Sequence, residues 1–245
     1  MSTCAFNASA INSCKLNRDE LNSAQPAHGR IATGQAPAVI NQLPAASGLL
    51  LVLFLLLHLA GVSLAVLDPL RFEDDATALH HSPWLPLVEL ALLVAAAVHA
   101  GLALRKWLLN RRAGNSAALN SRRTDPLAAL AARSQAAGGL LLLLFLGVHL
   151  RQLRWPRPPT GAELATLQAV LSQPLSLALY GAGSLALGLH LFHGGEAAHR
   201  SLGLLDPANA GRIRRGARLI ALLVSGGFAL VALVLAAPLA LAGQP

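Results

Sequence analysis

Four histidines, His58, His99, His149 and His190, stand inside long apolar stretches of this chain, and their spacing repeats. His58 to His99 is 41 residues and His149 to His190 is also 41, so one offset of 91 carries the first two onto the second two. The segments around them repeat as well. GLLLVLFLLLHL at 48–59 aligns with GLLLLLFLGVHL at 139–150, placing Gly48 on Gly139, Phe54 on Phe145 and His58 on His149. An imidazole in such surroundings needs a hydrogen-bond partner or a metal, because an unpaired polar group in hydrocarbon is costly. Two opposed imidazoles in an apolar bundle are the donor set of bis-histidine haem ligation, each supplying one axial nitrogen.

Residues of this kind need rigid carriers, and the composition says what these are. The 245 residues are 54% hydrophobic and 12% charged, with mean hydropathy +0.54. Soluble domains carry about 25% charged residues. The apolar residues gather into blocks of about twenty, enough to cross a hydrocarbon core of roughly 30 Å. In lipid such blocks must be helices, since every backbone group has to be satisfied within the segment. An all-α integral membrane protein follows, with five transmembrane helices over roughly 45–67, 84–108, 136–155, 173–196 and 217–241. Pro83 and Pro86 suit the opening turn of the second, Pro174 opens the fourth, and Asp68-Pro69 closes the first. Residues 1–44 form a polar extension, too long and polar for a secretory signal, before a transmembrane domain over 45–241. The net charge of +8 does not indicate nucleic acid, because the arginines flank hydrophobic runs. Cys4 and Cys14 lie in the extension and match neither a zinc nor a covalent haem spacing.

Loop charges set the orientation. The loop after the second helix carries Arg105, Lys106, Arg111, Arg112, Arg122, Arg123 and Arg133, and the loop after the fourth carries Arg200, Arg212, Arg214, Arg215 and Arg218. The loop after the first has Arg71 against Asp68, Glu73, Asp74 and Asp75, while the loop after the third holds Arg151, Arg154 and Arg157. These place the N-terminus in the cytoplasm and the C-terminus outside, in the cell inner membrane. Two helices per repeat keep both copies in one topology, related by an axis along the membrane normal. His58 and His149 then lie six to nine residues before the outer helix ends, and His99 and His190 at similar distances before the inner ends. Helices one to four make a four-helix bundle with two histidine levels, and the fifth adds to it. Gly61, Gly101, Gly147 and Gly188, each within three residues of one of these histidines, suit close approach of a macrocycle. His193 lies one turn from His190 and competes with it, or else bonds a haem propionate or a backbone carbonyl. Zinc is disfavoured because no cysteine or carboxylate joins the four.

The pattern resembles the single-chain, five-helix, di-haem cytochrome b subunit of succinate:quinone oxidoreductases (succinate dehydrogenase or fumarate reductase). The resemblance covers about 45–241 and rests on FLLLHL (54–59), VHAGL (98–102), ARSQAAGGLLLLLFLGVHL (132–150) and LHLFHGG (189–195) followed by LG (202–203). It implies that His58 and His149 ligate an outer haem b and His99 and His190 an inner one, with no ligand on the fifth helix. It implies partners too: separate flavoprotein and iron–sulfur subunits docked on the basic cytoplasmic face, and membrane quinone as substrate. The chain has no dinucleotide fingerprint and no cysteine cluster of its own. Quinone chemistry needs a proton donor near a membrane face, and Glu73, His80, His81 and the intrahelical Glu89 are the candidates. Two other functions fit the residues alone. One is a cytochrome b serving formate dehydrogenase, hydrogenase or nitrate reductase. The other is a haem-free anchor or transporter whose histidines bond between helices.

Overall fold

The computed structural model describes residues 38–114, 125–155 and 157–242. Residues 1–37 of the expected extension, Cys4, Cys14, His28, Arg122 and Arg123 lie outside this set, whereas 38–44 already belong to the first helix. In chain order the helices are α1 (Ala38–Leu67), α2 (Pro69–His80), α3 (Leu85–Arg112), α4 (Pro126–Arg133), α5 (Gln135–Leu153), α6 (Glu163–Leu171), α7 (Pro174–Ser201) and α8 (Ala210–Ala242). Among the described residues there is no strand. Five helices, α1, α3, α5, α7 and α8, are long and apolar enough to cross a membrane. Leu87, Leu90, Leu140, Leu175, Leu185 and Leu222 on these helices are exposed, the surface that lipid covers in an all-α, multi-pass membrane protein.

Helix boundaries follow local chemistry. Asp68 ends α1 and caps α2, its carboxylate accepting from Arg71 N at 3.2 Å, with Pro69 at the first helical position. Asp125 does the same for α4, accepting from Leu127 N and Ala128 N at 3.1 and 3.2 Å. The Ala128 N–H and the Arg218 guanidinium hold the Asp125 carboxyl below the usual carboxylate range, and Arg218 also lies over the Phe192 ring. Helices α3 and α7 run past the expected 108 and 196 because Arg111 and Arg112, and His199 and Arg200, favour the negative end of the helix dipole. Their extension leaves His99 thirteen residues from the end of α3 and His190 eleven from the end of α7, deeper than expected. His58 is nine residues from the end of α1. Helix α5 stops at Leu153 before Trp155-Pro156, so His149 is only four residues from its end, not six to nine.

The fifth spanning helix, α8, is more than an addition to a four-helix bundle. It packs most extensively against α7, and also against α1, α6 and the core they share. Val224 and Ala221 on α8 are fully buried, whereas α5 buries no residue completely. Small residues make the approach possible. A Cβ on Gly195 would stand 2.6 Å from Ala217 Cβ, and one on Gly188 would stand 2.8 Å from Ser225 Oγ. Gly188 therefore serves the α7–α8 contact, because it faces α8 and not the bundle interior that its proximity to His190 suggested.

Replacing Gly195 with leucine should destabilise the protein by about 1–3 kcal/mol through overpacking, read as a lower unfolding temperature in detergent. Gly226→Leu, at a position with nothing within 4 Å, should leave that temperature close to the parent value.

Candidate functional site

The repeat is visible in side-chain geometry. Across the bundle, the His58 ring on α1 faces the His149 ring on α5 with centroids 6.0 Å apart, and His99 on α3 faces His190 on α7 at 6.1 Å. The ring planes are steeply inclined within each pair, at 80° and 70°. Beside the first pair, Phe54 stacks on His58 at 5.4 Å and Phe145 stacks on His149 at 5.5 Å, so the two repeat-related Phe–His units share one geometry. Beside the second pair stand the repeat-related glycines. A Cβ on Gly48 would meet His99 Cε1 at 3.0 Å, and one on Gly139 would meet His190 Cε1 at 3.8 Å. Ten residues separate Gly48 from His58 and Gly139 from His149. The two histidine levels are therefore about 15 Å apart along the helices.

Two imidazoles that share one iron, each nitrogen about 2 Å from the metal as in other metal–imidazole bonds, hold their ring centroids about 6 Å apart. Both pairs meet that requirement without movement. At His99 and His149 the second ring nitrogen has a partner of the kind ligating histidines keep. His99 Nδ1 donates to the Pro44 carbonyl at 2.9 Å; a carbonyl only accepts, so Nδ1 carries the proton and Nε2 keeps its lone pair. His149 Nδ1 lies 3.1 Å from the Tyr180 hydroxyl. His190 Nδ1 is buried with no hydrogen-bond partner, an imidazole whose polar demand the protein alone does not meet. Gly61, Gly101 and Gly147 are exposed, with nothing within 4 Å of where a Cβ would stand, and Gly101 and Gly147, two residues from their histidines, lie on the opposite side of the helix from them. The facing imidazoles offer one metal atom two nitrogen donors at each level. No group of three or more His, Cys, Asp or Glu converges among the described residues, unlike the donor set of a tetrahedral zinc site.

The ionisable residues expected to serve a quinone fall into two clusters at the end of the bundle that carries α2 and α6. Glu89 on α3 makes a two-point ion pair with Arg154, with Arg154 Nη2 2.8 Å from Glu89 Oε2 and Arg154 Nε on the other oxygen. Close by in sequence, Gln152 Nε2 donates to Ser176 Oγ at 2.8 Å. Arg154 Nη1 and Gln152 Oε1 are buried without partners, one donor and one acceptor left unmet. Glu73 is engaged elsewhere: its two carboxylate oxygens accept from Glu163 N and Leu164 N, both at 2.9 Å, and so cap α6. His80 Nδ1 lies 3.1 Å from Glu163 Oε1, and the Thr77 hydroxyl also approaches that carboxylate. His81 turns to its own helix, Nδ1 to the Thr77 carbonyl at 2.9 Å.

Several of these participants escape sequence reasoning. Arg154 counts there as a loop charge, and Glu163 carries no motif. Tyr180 had a signal: it is the one tyrosine of the chain, it sits in an apolar span, and the 91-residue offset places it on Glu89. No family model, curated protein or solved structure matches this chain.

Glu163 links α6 to α2 through an ionised carboxylate. Burial opposes its charge, yet backbone N–H groups and His80 prevail and hold the carboxyl below its ordinary value. A carboxyl lowered on folding contributes stability that is complete above the unfolded pKa, about 4.3, and is lost as pH falls through the folded value. Limited proteolysis should therefore find the α2–α6 region protected near neutral pH and cleaved in acid. Glu163→Gln should show the same cleavage already at neutral pH.

Proposed function

We propose that this chain is a di-haem cytochrome b, the membrane-anchor subunit of a succinate:quinone oxidoreductase. The observation that carries the haem reading is the pair of facing histidines at each of two levels, spaced 6.0 and 6.1 Å between ring centroids. The dehydrogenase it serves is read from the resemblance of the four histidine-bearing motifs. Haem held at these sites supplies one-electron transfer through the apolar thickness, between a dehydrogenase on one face and quinone at the other.

The protein's own contribution is placement. His58 and His149 would hold one iron, His99 and His190 the other. The Pro44 carbonyl fixes the tautomer of His99, so that the Nε2 lone pair would be available to a metal. Phe54 and Phe145 fix the ring orientations at the other level. Among the described residues, Arg105, Lys106, Arg111, Arg112, Arg133, Arg200, Arg212, Arg214, Arg215 and Arg218 belong to the α4 end. On the positive-inside rule that end is cytoplasmic in the cell inner membrane, with the N-terminus inside and the C-terminus outside. Its positive charge suits docking of the flavoprotein and iron–sulfur subunits. The His58/His149 level then lies toward the outside, and so do the quinone candidates. Of these, Glu89 holds an Arg154 guanidinium with one donor, Nη1, left unmet, which suits a ligand presenting a carbonyl oxygen. Glu73 and His80 already hold α6 and Glu163.

A pyridine haemochrome assay on the purified chain should give two b-type haems per polypeptide. His58→Ala and His149→Ala should each remove the same spectral component, and His99→Ala and His190→Ala the other. A haem-free chain expressed with adequate haem supply would refute the proposal, and so would loss of one component on changing His58 or His99 alike.

A further inference from the structure

Tyr180 lies in the second turn of α7 with only 8% of its surface exposed, and its hydroxyl meets a histidine ring nitrogen. The position is specific within the repeat. Glu89 is 10 residues before His99, and Tyr180 is 10 residues before His190. Both face the level of the His58/His149 pair, but their partners differ. Glu89 is drawn off by Arg154, whereas Tyr180 Oη stays on His149 Nδ1 at 3.1 Å. The contact is supported from behind. The Tyr180 ring meets Phe145 edge-on at 5.0 Å, and Phe145 in turn stacks on His149. A buried phenol normally finds a hydrogen-bond partner, and the one given to it here is a ring that already faces a second imidazole.

We propose that Tyr180 is the positioning residue of His149: its hydroxyl oxygen accepts the Nδ1 proton, directs Nε2 toward the metal, and sets the reduction potential of that haem alone. This rests on the haem reading above. An acceptor on Nδ1–H makes the imidazole a stronger electron donor through Nε2, which favours ferric over ferrous iron. The other level has its own device, since His99 Nδ1 donates to a backbone carbonyl that no side-chain change removes. The two centres are thus tuned separately, one by main chain and one by a single phenol.

The test is a redox titration of the purified holoprotein and of Tyr180→Phe, followed through the visible bands of the two haems. Tyr180→Phe keeps the ring that packs on Phe145 and deletes only the acceptor. The assignment predicts two bound haems, a raised midpoint potential for the His58/His149 haem, and an unchanged potential for the His99/His190 haem. Loss of the outer haem alone, with the inner one retained, also supports it, since the bundle has then folded without a fixed His149. Unchanged potentials, or equal shifts at both haems, overturn it. So does loss of both haems or failure to accumulate, which would make Tyr180 a packing residue. A haem-free parent chain would defeat the haem reading and this assignment together, whereas unchanged potentials in a two-haem variant defeat this assignment alone.

Discussion

An imidazole inside hydrocarbon cannot borrow water for its ring nitrogens, and the arrangement of this bundle follows from that constraint. Each of the four repeated histidines faces another across the bundle, and three of the rings have an identified partner or an unmet demand at Nδ1: Pro44, Tyr180, and none for His190. The spacing within each pair matches that of two imidazoles sharing one metal atom. Glycines at 48 and 139 let the rings at one level lie close to the opposing backbone, and phenylalanines at 54 and 145 brace the rings at the other. The two-helix repeat accounts for both members of each pair, because each histidine of the unit faces its own repeat-related copy.

The rest of the chain holds these helices in register. Lipid offers no hydrophobic drive between helices, so close packing has to come from shape. Helix α8 supplies it, with Ala217, Ala221, Val224 and Ser225 set against the glycine-bearing face of α7 and Gly227 against Leu59 of α1. At one end the loops are tied by charge: Glu73 caps α6, Glu163 meets His80, Arg154 meets Glu89, and Arg157 donates to the His80 carbonyl. All four arginines at that end have protein partners: Arg71 pairs with Asp75, Arg154 with Glu89, and Arg151 and Arg157 donate to backbone carbonyls.

What could be read in advance was whatever depends on short-range pattern. Five apolar runs gave the spanning helices, proline and aspartate gave their ends, and an equal spacing of 41 residues placed the histidine pairs. The features that stayed hidden depend on distant partners. Helix α6 lacks a capping residue of its own at Ala162 because its cap is the Glu73 carboxylate, 90 residues earlier. The α4 and α2 helices, by contrast, carry their own Asp-Pro signals, which read as loop punctuation when sought beside longer spans. Arg154 looks like an orientation charge until α3 brings Glu89 beside it. The part played by α8 was equally opaque, since its small residues acquire meaning only against Gly188 and Gly195.

The inclination of the facing rings gives the most direct measurement of the central claim. Imidazole planes held at 70° to 80° to one another on a low-spin ferric haem leave two iron d orbitals nearly degenerate and produce a strongly anisotropic electron paramagnetic resonance signal. The oxidised, purified chain should show two such low-spin signals, each removed by substituting one histidine pair. A spectrum with no low-spin ferric haem, in protein produced with adequate haem, would contradict the account and leave the histidines as contacts between helices.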